Sequence, residues 1–230
     1  MTTQKKIILA NLKAYRSPAL VEQWCGDFLA ALQQMPEEVE IVLAVPHMAL
    51  ERVWQKIEKW PGISLAAQVL SSFPQGSYTG TTPAAWLRGL VRYSLAGHRE
   101  RRNYFHETVQ DVARQVHEAL EEDIIPIVCV EGEYFVQQLA AFTLEERERV
   151  FWAFTPKLEI SLALPRDLSV MSEAITKIAA QGGGRPVLYG GGISADNVSA
   201  IWALPGISGI MLGEACRDAG NFAGLVQSLR

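Results

Sequence analysis

The sequence predicts an α/β fold: a closed (β/α)8 barrel, built as one domain over residues 1–230. Three observations predict it. Apolar runs of strand length alternate with helical patterns along the whole chain, and eight such runs occur. The runs are continuously apolar, as strands buried on both faces of a parallel sheet are. No linker or compositional break divides the chain, and eight units in 230 residues fit a compact barrel near the lower end of the usual size. A doubly wound open sheet is the alternative reading of the same pattern.

The elements follow in order. Lys6–Ala10 is the first strand. A helix over about 18–35 comes next: Ser17 is placed to cap it, Pro18 suits its first position, and Leu20, Trp24, Phe28 and Leu32 recur at helical spacing. Glu40–Val45 is the second strand, followed by a helix over about 49–60. Ile63–Gln68 is the third strand, and Thr82-Pro83 opens a helix carrying Leu87 and Leu90. Tyr93–Gly97 is the fourth strand, with a long amphipathic helix over about 108–121 behind it. Ile124–Val130, Val150–Phe154, Pro186–Tyr189 and Gly209–Leu212 are the fifth to eighth strands.

Composition narrows the function classes. Hydrophobic residues make up 49% and charged residues 20%, an ordinary balance for a globular domain able to bury a large core. The net charge of −4 argues against a nucleic-acid partner, which needs a strong basic bias. No apolar run approaches the ~20 residues of a membrane span, and the first residues lead straight into a strand without a signal-peptide pattern. Cys25, Cys129 and Cys216 have neither metal-binding nor redox spacing, so reduced thiols in a cytoplasmic protein are expected, with no metal.

Chemistry concentrates at strand ends, where a barrel builds its site. His98 follows the fourth strand and is flanked by Arg99, Glu100, Arg101 and Arg102. A histidine there, beside a carboxylate and guanidiniums, can polarise a substrate oxygen. Asn11 and Lys13 end the first strand. Gly190, Gly191 and Gly192 end the seventh and precede Ser194-Ala195-Asp196-Asn197, a helix-start pattern; such glycines let backbone donors approach an anion, or simply make a tight turn. The Gly182-Gly183-Gly184 run lies before its strand, on the opposite rim, and reads as a turn. His47, His106 and His117 read as surface or packing residues.

Taken in order, these segments resemble the triosephosphate isomerase family over nearly the whole chain. Asn11-Leu12-Lys13 is similar to its first loop; Ala67-Gln68 and Tyr78-Thr79-Gly80 to its third, which in the family reaches into a neighbouring subunit. Gly97–Arg102 with Tyr104–Thr108 resembles its most diagnostic signature, and Cys129–Glu133 the end of its fifth strand. Tyr189–Ile193, Asp196-Asn197 and Gly206–Gly209 complete the series. The resemblance implies a TIM barrel and an aldose–ketose isomerase of carbohydrate metabolism, placed in glycolysis and gluconeogenesis. It implies a small sugar or sugar phosphate as substrate, no cofactor and a homodimer. In that chemistry a carboxylate removes a carbon-bound proton, and a lysine and a neutral histidine stabilise an enediolate, for which the family is itself the standard illustration. A mobile loop excludes water, and glycine loops hold the phosphate. Lys13 and His98 then take the oxyanion, Glu100 shuttles protons or merely pairs with an arginine, and Asn11 orients the site. Gly190, Gly191, Gly192 and Gly213 bind the substrate.

The departures bear on function. The family's base is a glutamate just before a proline at the end of the sixth strand; here Thr155 precedes Pro156. A threonine hydroxyl cannot take a carbon-bound proton near neutral pH unaided, and losing a general base costs ~10²–10⁴-fold. The loop after Pro156 lacks the family's glycine-rich tip, Gly213-Glu214 replaces a glycine pair, Gly192 replaces a serine, and Thr81 stands where the family's subunit interface has a glutamate. Glu159 and Glu214 are the candidate substitute bases, each with solvent exposure as its plain alternative. A Glu214 facing the pocket implies a neutral or cationic substrate tail. The expectation is weak or absent turnover of glyceraldehyde 3-phosphate, or, alternatively, a non-catalytic ligand-binding or regulatory barrel.

Overall fold

The computed structural model describes residues 5–156 and 167–229. Eight parallel strands close in sequence order, with β1 (Lys6–Asn11) hydrogen-bonded to both β2 (Val39–Val45) and β8 (Gly209–Leu212). Between them lie β3 (Ile63–Ala67), β4 (Tyr93–Ala96), β5 (Ile125–Val130), β6 (Phe151–Phe154) and β7 (Val187–Tyr189). The open-sheet alternative is thereby excluded.

Strand geometry sends alternate side chains to opposite faces. On β1, Ile7 and Leu9 enter the barrel interior with Val42, Ala66, Leu95, Ile127 and Leu188. Ile8 and Ala10 join the larger layer between barrel and helices. The same alternation puts Asn11 at the interior's upper end. At the lower end the buried Glu40 carboxylate accepts from Ser64 Oγ (2.7 Å) and Tyr93 Oη (2.9 Å). That pairing is what a buried acid requires.

Closure demands one close backbone approach. An added Cβ on Gly209 would lie 2.3 Å from the Ile7 carbonyl oxygen. Backbone cannot swing aside as a flexible side chain can. Gly209→Ala is therefore expected to destabilise the fold by roughly 1–3 kcal/mol, read as a lower denaturant midpoint; an unchanged midpoint would contradict this account of closure.

The helices sit where the periodicity places them, with corrections. α1 (Pro18–Ala31) is capped by Ser17 but stops short of the expected residue 35. Pro36 follows closely, and a residue before proline is pushed away from helix. α2 (Leu50–Ile57) is likewise shorter than expected. The helix expected from Thr82-Pro83 is only a 3-10 turn at Ala84–Trp86. Gly89, at φ +76°, ends that segment within a few residues. Leu87 is buried regardless.

α3 (Arg99–Tyr104) has no apolar period, and its sequence does not mark it as a helix. α4 (Val109–Glu121) is the amphipathic helix expected there, and a capping box between Thr108 and Asp111 starts it. α5 (Gly132–Ala140) and α6 (Leu144–Arg149) occupy the segment before β6. α7 (Leu168–Gln181) precedes β7, and its Gly182–Gly184 exit is the turn expected there. α8 (Val198–Trp202) begins after Asn197. α9 (Ala219–Ser228) packs on α1 through Phe222, whose ring lies 4.9 Å from Phe28 and 5.8 Å from Trp24. The last helix thus seals the first. No helix among the described residues is long and apolar enough to cross a membrane.

Candidate active site

The C-terminal ends of β1, β4, β6, β7 and β8 surround a rim cavity of about 1160 Å3. Asn11, Lys13, His98, Thr155, Gly190–Gly192, Gly213 and Glu214 all line it. The barrel thus collects onto one surface residues drawn from its first strand to its last.

Lys13 is aimed by its backbone. It sits at φ +49°, in the left-handed region that side chains rarely adopt. The strain, of order 1 kcal/mol, is held by a local network. Asn11 Oδ1 accepts from the Lys13 N–H (3.1 Å) and from Gln68 Nε2 (3.3 Å). Gln68 Nε2 also donates to the carbonyls of Lys13 (3.2 Å) and Ala44 (3.1 Å). Asn11 therefore orients Lys13, and Gln68 ties the ends of β1, β2 and β3 together around it. Sequence reasoning does not single out Gln68 as a site residue; a polar residue ending an apolar strand is the available signal.

From β4, Gly97 at φ +67° turns the chain so that His98 caps α3. Any Cβ on Gly97 would lie 2.4 Å from Arg102 Nη2. Arg102 Nε donates to the Gly97 carbonyl at 2.8 Å, and Nη2 to the buried Gln138 Oε1 at 3.0 Å, which anchors the turn from below.

His98 Nδ1 accepts the Glu100 backbone N–H at 3.3 Å. With Nδ1 so occupied, the neutral tautomer inferred is the one carrying its proton on Nε2. Burial pushes the His98 pKa down to about 4; the charges of Lys13 and Arg99 act in the same direction and Glu100 opposes them. The 3.7 Å approach of Glu100 Oε2 to Nδ1 is therefore no ion pair near neutral pH. Glu100 instead pairs with Lys13, Oε1 to Nζ at 2.7 Å. The group has an ammonium and a neutral imidazole N–H as donors, with the carboxylate as the ammonium's partner. Such donors suit a developing oxyanion.

Thr155, at the end of β6, is buried beside the cavity. Its methyl would lie 3.2 Å from a Cβ placed on Gly190. Gly190 thus clears space for whatever occupies position 155. Gly192 is at φ +55°, and Asn197 pins the glycine loop, its Nδ2 donating to the Gly192 carbonyl (2.8 Å) and its Oδ1 accepting the Ser194 N–H (2.9 Å). Gly213 lies against Lys13, since an added Cβ would come within 3.4 Å of Lys13 Cε.

Glu214 lines the cavity but remains 76% exposed, and its Oε1 is bound by Arg217 Nη1 at 2.8 Å. Its partner Arg217 sets a cation beside its charge, so a neutral or cationic tail does not follow from Glu214 alone. Arg217 and Tyr15, both on the cavity, escape sequence reasoning. Nothing local in their sequence marks them. Glu159 lies outside the described residues. His47 is half-buried, whereas His106 and His117 are exposed. None of the three lines this cavity.

Comparison with known proteins agrees with the geometry. The family model for triosephosphate isomerase matches residues 6–229. A triosephosphate isomerase of Paracidovorax citrulli is 33% identical over 97% of this chain and 98% of its own length. Those of Nostoc sp. and Thermus thermophilus are 29% and 27% identical, over 98% and 97% of this chain and 100% and 98% of their own lengths.

Proposed function

We propose, from the premise that this chain belongs to the triosephosphate isomerase family, that it is an aldose–ketose isomerase for a small sugar or sugar phosphate whose base position has been altered. The observation that carries the reading is that Lys13 and His98 line one cavity with Thr155, with Glu100 paired to Lys13 behind them. In this reading a carbon-bound proton next to the substrate carbonyl passes to a carboxylate, for which Glu159 and Glu214 are the candidates, and the C–H electron pair becomes the C=C bond of an enediolate. The carbonyl π pair moves onto the oxygen, where the Lys13 ammonium and the His98 N–H stabilise the charge. Asn11 holds Lys13 in place, and the glycines 190–192 and 213 leave room for the substrate.

The proton acceptor is where the chain departs. Among the described residues, Glu100 is bound to Lys13 and Glu214 to Arg217, and the Asp218 carboxylate accepts the Asn221 N–H at 2.8 Å. This favours weak or absent turnover of glyceraldehyde 3-phosphate. It also supports the second reading, a ligand-binding or regulatory barrel. Purified protein assayed on phosphorylated and unphosphorylated ketoses separates them: slow isomerisation supports the first, and ligand-induced thermal stabilisation without turnover supports the second. Turnover of glyceraldehyde 3-phosphate at a rate ordinary for an unimpaired enzyme would overthrow the altered-base reading.

The reading includes a homodimer. Tyr15, Phe73, Tyr78, Tyr104 and Phe105 stay exposed, and Phe73 stacks on Tyr78 with ring centroids 4.6 Å apart. Rigid aromatics left in water are typical of contact surfaces, and the loop that carries Phe73 and Tyr78 is the one resembling the family's subunit contact. Light scattering is expected to give about twice 25.4 kDa, and Tyr78→Asp a monomer. A wild-type monomer at micromolar concentration would remove this part of the proposal. The reading also places the protein in the cytoplasm, which the three free, buried cysteines support.

A further inference from the structure

The turn after β8 carries an arginine that the proposed chemistry does not use. Arg217 lies on the rim cavity, its guanidinium 4.7 Å above the Tyr15 ring and bound to Glu214 on the same short turn. Arg16 donates to the Arg217 carbonyl, tying this turn to the loop after β1. Lys13 Nζ lies 5.9 Å from the same Tyr15 ring. One aromatic side chain therefore stands beside Lys13 and Arg217, the two cations that line the cavity among the described residues.

The two cations differ in what holds them. The Lys13–Glu100 pair is largely sheltered, with side chains 22% and 34% exposed. The Arg217–Glu214 pair is 51% and 76% exposed. An exposed pair of this kind contributes little, so a competing anion displaces its carboxylate readily. Tyr15 keeps the guanidinium beside the cavity whichever anion it holds.

We propose that Arg217 is a specificity-determining residue that binds the terminal phosphate of the ligand, with Glu214 as its exchangeable counter-ion. The proposal rests on the reading of this cavity as a substrate site and deepens it, choosing the phosphorylated over the unphosphorylated sugar. In the free protein Glu214 occupies the guanidinium. A phosphate monoester entering the cavity takes two of its N–H donors, the planar fork that suits such oxygens. Glu214 then turns to solvent, where it is already mostly exposed. The side chain thus supplies charge-assisted contacts that add to those of the glycine loop.

Calorimetric titration tests this on the whole protein with inorganic phosphate and with glycerol 1-phosphate as probes. Arg217→Met is expected to weaken binding of both at least tenfold. Glu214→Gln, which removes the competitor and keeps the shape, is expected to tighten both by about threefold. Arg52→Met is the control, since Arg52 pairs with Glu22 on the outer surface, away from the cavity; it should change neither. Opposite shifts from the first two variants are not expected of a merely structural pair. The proposal is overturned if Arg217→Met binds as wild type does, if Glu214→Gln weakens binding, or if the wild type binds neither probe. None of these results touches the isomerase reading, which turnover of the Thr155→Glu protein judges separately.

Discussion

Thr155→Glu should raise the rate of glyceraldehyde 3-phosphate isomerisation by at least ~10²-fold, the usual contribution of a positioned general base. The geometry gives the reason. Position 155 ends β6 at the cavity wall, and the glycine opposite leaves its side chain unobstructed on that flank. Lys13 and His98 already face the same space as donors. The substitution therefore supplies a carboxylate to the cavity that Lys13 and His98 line. The measurement is kcat/KM of the variant against wild type, with Thr155→Gln as the isosteric control without a base. The gain should appear in kcat and be absent from the glutamine variant. No gain in a folded Thr155→Glu protein would mean that Lys13 and His98 are not poised for this chemistry.

The second large effect is the acid sensitivity of His98. Its pKa in the fold is about 4, against 6.5 for the ordinary side chain, chiefly because the ring is buried. Above pH 6.5 the ring is neutral in both folded and unfolded chains, so the depressed pKa costs nothing. Between 6.5 and about 4 the unfolded chain takes up a proton that the folded chain refuses. Stability is thus lost as the pH falls through this window, by up to roughly 3 kcal/mol at its lower end. Denaturant titrations of wild type and His98→Gln across that range isolate the contribution, since the glutamine variant lacks it. Proton NMR should show the His98 ring neutral from pH 8 to about 5. A midpoint near 6.5 would remove both the stability slope and the argument for a neutral electrophile.

Much of the architecture is legible in the sequence because it rests on local pattern. Each strand is an apolar run between turn signals, and eight such runs alternating with helices point to a parallel sheet; its closure in sequence order excludes the open alternative. The failures have local causes too. Pro36 shortens α1, Gly89 cuts the expected helix after Pro83 to a single turn, and α3 carries Arg99–Tyr104 with no apolar stripe to betray it. Of the site, Asn11, Lys13, His98 and the glycine loop can be named because each sits at a strand's C-terminal end, where a barrel places its chemistry.

The sequence by itself determined the eight strands and their alternation with helices, the strand ends that carry polar residues, and the absence of a glutamate before Pro156. These are properties of single segments, encoded in their own periodicity and composition. Only the tertiary structure decided how those segments meet. It bound Glu100 to Lys13 and left His98 neutral, set Gln68 across three strand ends, and brought Arg217 from the last loop over Tyr15 in the first. Such pairings depend on distances between loops remote in sequence. Those distances come into being only when β8 closes against β1.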